Sequence, residues 1–265
     1  MSLPAVIAAG ETPQSVTERI CAVTLREGAG RWTPPWWWAA FAVSLGLLGM
    51  GVVSVAWLFY AGLGIWGIDW PVAWGLDILN YVWWIAIASG GTFISALFFL
   101  LGVAWRTALN RLAESLTLCA ALCAAIFPIL HLGRPWFFYW LFPYPNTMGL
   151  WAQFRSPLVW DFFAILAYVL ASILFWYFGL LPDLATLRDR ARGQGQRVFY
   201  GVLALGFRGS GRQWRHYRAV YAVMAALMAP LVVSVHSIVG MDFAGSAATG
   251  WHSTQFPPFF VFGAA

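Results

Sequence analysis

The chain contains no lysine, and only 9% of its 265 residues are charged. A soluble domain carries roughly 25% charged residues. That scarcity, with 61% hydrophobic residues and a mean hydropathy of +0.72, excludes an ordinary soluble domain and defines a polytopic membrane protein. Cysteine is scarce too. Cys21, Cys119 and Cys123 form no CxxC and no Cys/His ligand spacing, which argues against a thiol-held metal. Cys119 and Cys123 lie four apart in an apolar stretch and read as small packing residues. No short apolar core of a cleavable signal stands near the start.

What is present is a series of apolar runs. They predict five full spans, at about 36–62, 78–105, 109–131, 157–181 and 218–240, each near the ~20 residues that a bilayer needs. All are expected to be helical, because lipid offers the backbone no hydrogen-bond partners. The fold class is therefore all-α, a polytopic transmembrane helical bundle. Residues 1–35 are mixed in character and read as a cytoplasmic amphipathic segment, and 36–265 as the transmembrane domain. After Pro257 and Pro258 the run Phe259 to Ala265 starts a sixth span, so the bundle is expected to be incomplete at this end. Val198–Phe207, bracketed by Arg197 and Arg208, has the length of an interfacial helix and not of a span.

The fifteen basic residues are all arginines, and thirteen of them fall in three segments: before span one, between spans two and three, and from Arg188 to Arg218. The positive-inside rule makes those segments cytoplasmic, with the N-terminus among them. The formal charge of +5 thus reports topology and lipid-headgroup contact, and no nucleic-acid partner is expected. Arg134 and Arg155 fall on the opposite side, in a hairpin rich in tryptophan. Tryptophans at the span ends, such as Trp36, Trp57, Trp83 and Trp136, form an interfacial belt.

The candidate chemistry lies in HLGRPWFFYW at 131–140 and SPLVWD at 156–161. Pro135 disfavours helix at Arg134, so span three is expected to end there, with His131 about one turn inside. Ser156 and Pro157 read as N-cap and first helical position, which puts Asp161 about one turn into span four. Imidazole and carboxylate then share a membrane depth. One reading is structural: Asp161 favours a helix N-terminus, an arginine neutralises it, and His131 is an interfacial donor. The other is proton exchange with a quinone headgroup, whose oxygens need acid and base partners between aromatic walls.

His236 and Asp242, at the outer end of span five, are weaker neighbours of that site, and His252 reads as a surface residue. Small residues in span two, among them Ser89 and Thr92, serve close packing or a hydratable point on a proton path. Glu114 pairs with Arg111 or admits protons. A b-type haem would need two facing histidines, and only His131 with His236 offers itself.

The Ser89–Thr92 centre, the stretch 131–161, VHSIVGMDF at 235–243 and GWHSTQFPPFF at 250–260 resemble the NrfD or polysulfide-reductase membrane-subunit family, and within it the ActC subunits of alternative complex III. The resemblance implies a bundle in the bacterial inner membrane that oxidises quinol, menaquinol above all, near the periplasmic face. It holds no haem, iron–sulfur cluster or other metal of its own. The implied partners are c-type haem subunits, a periplasmic iron–sulfur subunit and a second NrfD-like membrane subunit. His131 and Asp161 are then the catalytic pair, with Arg134, His236 and Asp242 also contacting quinol. Two other readings remain at this point: an anchor for peripheral redox subunits, and a transporter, which should show inverted repeats.

Overall fold

The computed structural model describes residues 10–26, 33–68, 75–141, 157–247 and 250–264. Its helices are α1 (Pro13–Leu25), α2 (Pro35–Ala61), α3 (Leu76–Leu100), α4 (Arg106–His131), α5 (Pro157–Arg190), α6 (Gln194–Leu203), α7 (Gly211–Ala247) and α8 (Phe256–Ala264). Five of them, α2, α3, α4, α5 and α7, are long and apolar enough to cross a membrane. No strand occurs among the described residues.

The helices differ from the hydropathy limits where local chemistry, and not apolarity, sets their ends. α5 continues through Pro182 to Arg190. A proline inside a helix removes one intrahelical bond without always ending the helix, and the Thr186 hydroxyl donates to the Pro182 carbonyl at 2.8 Å. α8 begins at Phe256, ahead of Pro257 and Pro258, because first-turn residues have no intrahelical use for an N–H. α4 ends at His131, earlier than Pro135 alone predicts. Gly133 takes a left-handed conformation (φ 60°) with Leu63 against the place a Cβ would fill, so the chain turns there. His131 is consequently the last helical residue, not one turn inside the helix. A 3₁₀ turn, Pro135–Leu141, follows. The expected N-cap Ser156, Arg155 and the rest of the hairpin from Phe142 lie outside the described residues.

By compactness the chain forms two units, residues 1–51 with 177–221 and residues 52–176 with 222–265. In the first unit α1 is closed at its N-terminus by a capping box, in which the Thr12 hydroxyl accepts from the Ser15 N–H at 3.1 Å. α1 buries Cys21 and Leu25, and Glu18 pairs with Arg190 at 3.6 Å. α6 is amphipathic. It exposes Val198, Phe199 and Val202, while Ala204 and Phe207 just beyond it pack on Ala185. The Tyr177 hydroxyl donates to the Leu203 carbonyl at 2.6 Å, and Arg188 to that of Phe207 at 2.7 Å, which satisfies carbonyls at the end of α6.

The second unit is organised by α3 against α4. Ala88, Ala113, Ala120, Ala121 and Ala124 are buried there, and small side chains let two helix backbones approach. At Gly91 a Cβ would stand 2.4 Å from Thr117 Oγ1 and 2.8 Å from the Ala113 carbonyl. The Thr117 hydroxyl crosses the interface to the Ala88 carbonyl at 3.1 Å. Gly91→Val is therefore expected to destabilise the fold by about 1–3 kcal/mol through overpacking, read as a lower midpoint of thermal unfolding in detergent. An unchanged midpoint would show that the interface has slack. Past Thr92, α3 widens into a π-turn, Phe93–Leu97, and buried Arg106 donates through Nε to the Ser95 carbonyl at 2.8 Å. Its guanidinium lies 4.7 Å from the Phe99 ring centre.

Candidate functional site

Along the buried face of α3, positions four apart carry Asp77, Tyr81, Ile85 and Ser89, with Thr92 completing the stripe. Asp77 sits in the first turn of α3, where the helix dipole favours a carboxylate. It is 6% exposed and its carboxylate pairs with Nδ1 of His131. Asp77 thereby orients the imidazole: Nδ1–H donates to the carboxylate and the basic nitrogen is Nε2. One turn on, the Tyr81 hydroxyl donates to both carboxylate oxygens of Asp161, at 3.1 Å each. The Tyr81 ring stands edge-on to the His131 ring, 5.6 Å between centres, and Phe127 touches both.

Three helix ends thus place an imidazole and two carboxylates round one tyrosine. His131 and Asp161 interact electrostatically, yet their direct partners are Asp77 and Tyr81. The facing ends of α4 and α5 bring them to one site, but as two dyads and not one pair. Asp242, from α7, is also 6% exposed and lies within electrostatic reach of Asp161 and Tyr81. Neither of its carboxylate oxygens has a hydrogen-bond partner among the described residues. Arg134 is exposed, and among the described residues it forms no ion pair with Asp161. Arg155 lies outside them.

His236 belongs elsewhere. It is 1% exposed, its Nδ1 donates to the Val232 carbonyl at 2.9 Å, and its Nε2 is 3.5 Å from Ser89 Oγ. Thr92 Oγ1 shares a 2.7 Å hydrogen bond with the Tyr168 hydroxyl. Ser89, Thr92, Tyr168 and His236 therefore make a second polar cluster, and Ile85 stands between Tyr81 and Ser89 on α3. Glu114 is fully buried and held by Arg111 and Asn110, both at 2.9 Å.

Asp77, Tyr81 and Tyr168 escape a reading of the sequence. None of them is singled out there: Asp77 stands just before the second predicted span, and the two tyrosines lie within spans. A signal for them exists nevertheless, since Asp77, Tyr81, Ser89 and Thr92 recur at helical spacing in one span.

Fold and site together define a polytopic helical membrane protein with a cluster of buried ionisable groups at one end of its spans. Residues 67–265 match the family described as polysulphide reductase, NrfD, and the chain belongs to that family. A protein of Halobacterium salinarum, named as a membrane subunit of a dimethyl sulfoxide reductase, is 30% identical over 232 residues, covering 82% of this chain. The chain spans about half the length of that relative, 49%.

Proposed function

We propose that this chain is the quinol-binding membrane subunit of a bacterial electron-transfer complex of the alternative complex III type. The observation that carries the reading is the juxtaposition of the Asp77–His131 and Tyr81–Asp161 dyads beside helices that face lipid. Quinol oxidation releases two protons and two electrons. His131 Nε2 takes one proton from a hydroxyl of the headgroup and the Asp161 carboxylate takes the other, so each leaving proton has a base at hand. The electrons pass to an iron–sulfur centre of a partner subunit on the same face.

Membership of the NrfD family and the similarity to a reductase membrane subunit support a place in a multi-subunit oxidoreductase. Menaquinol is the substrate proposed, with c-type haem subunits, a periplasmic iron–sulfur subunit and a second NrfD-like membrane subunit as partners. The arginine bias supports an inner-membrane location with the N-terminus in the cytoplasm. The inner cluster of Ser89, Thr92, Tyr168 and His236, and Glu114 beyond it, are the groups through which protons would be moved across the membrane.

Photolabelling of the membrane-embedded complex with an azidoquinone tests the reading. Label is expected on peptides that contain His131 or Asp161, competed away by unlabelled quinone. Competable label confined to other parts of the chain would overturn it.

A further inference from the structure

Between α4 and α5 lies a cavity of 190 Å³ lined by Ala125, Pro128, Ile129, Phe138, Phe162 and Val169 among others, none of them polar. For scale, an apolar cavity of about 150 Å³ stays dry and accepts a benzene ring. This one therefore has room for an apolar ring or a short run of branched chain. Two of its walls, Ile129 at 40% exposure and Leu166 at 43%, carry it to the outer surface of the helices. It runs beside the site along the same two helices: Pro128 follows Phe127, which touches the Tyr81 and His131 rings, and Phe162 follows Asp161.

We propose that this slot holds the first isoprenoid units of the quinol tail while the headgroup engages His131 and Asp161, an inference that rests on the quinol reading. The slot is apolar and opens where lipid is. A phospholipid acyl chain would suit the same walls, but the phosphate it brings is an acceptor without a proton to donate, and the Asp77 and Asp161 oxygens beside the slot are acceptors too. An uncharged headgroup bearing hydroxyls meets acceptors there instead. The slot therefore selects for the tail, and the dyads for the ring.

The assay uses the full chain in lipid nanodiscs, with quenching of tryptophan fluorescence by menaquinone-4 and by tailless menadione. Ala125→Phe from α4 and Val169→Phe from α5 each fill the slot without touching the dyads. Both are expected to weaken menaquinone-4 about tenfold, the order expected when a couple of methylene-sized groups lose their burial, and to leave menadione within about twofold. Because the two variants approach from opposite walls, one that fails to fold leaves the other to decide. His131→Ala is measured alongside and is expected to weaken both quinones. If His131→Ala weakens both while the slot variants weaken neither, or weaken both equally, the slot assignment falls and the quinol reading stands. If His131→Ala weakens neither, the quinol reading falls, and the tail assignment with it.

Discussion

Replacing His131 with alanine is expected to slow quinol oxidation by about 10²- to 10⁴-fold, the contribution typical of a positioned general base. The complex should still assemble, because His131 is the last residue of α4 and is partly exposed. The measurement is steady-state oxidation of a soluble quinol by purified complex, normalised to the amount of this chain. Asp77 sharpens the test because it acts through His131. In Asp77→Asn the amide can donate to Nδ1, which drives the ring proton to Nε2 and removes the base from the substrate side. That variant should lose nearly as much rate as His131→Ala, while Asp77→Glu, which restores a carboxylate, should recover part of it. A purely structural Asp77 would instead make Asp77→Asn the milder change. If His131→Ala and Asp77→Asn both retain full turnover in an assembled complex, the chain is an anchor, and the chemistry lies in another subunit.

Much of this architecture is written in the sequence because lipid permits so few solutions. Apolar length places the spans, and the spacing of His131 and Asp161 about a proline-bounded turn brings them to one end of the bundle. Less legible were details decided by packing. α4 stops at His131 because Gly133 turns against Leu63, a contact between residues 70 apart in sequence. The pairing of His131 with Asp77 depends on how α3 packs against α4, which depends in turn on Gly91 and a row of alanines. Hydropathy registers such residues only as small. His236, read with Asp242 as a neighbour of the site at the outer end of span five, stands six residues before it on α7 and faces Ser89, a partner that spacing alone does not reveal.

Asp161→Asn is the second large effect, with an expected loss of at least about 10²-fold in quinol oxidation. The substitution is nearly isosteric and its amide oxygen can still accept from the Tyr81 hydroxyl, so packing is preserved while the proton acceptor is gone. Tyr81→Phe separates position from chemistry. It removes only the hydroxyl that donates to both Asp161 oxygens, a hydrogen bond to a charged group worth about 1.5–3 kcal/mol, and should lower the rate about tenfold. If Tyr81 acts by holding Asp161, the double variant Tyr81→Phe/Asp161→Asn should be no slower than Asp161→Asn alone, since groups that work as a unit are not additive. A fully additive loss would mean that Tyr81 meets the substrate itself. An Asp161→Asn complex with wild-type turnover would remove Asp161 from the proton path and leave the His131–Asp77 dyad and Asp242 as the bases the described residues offer at this end of the spans.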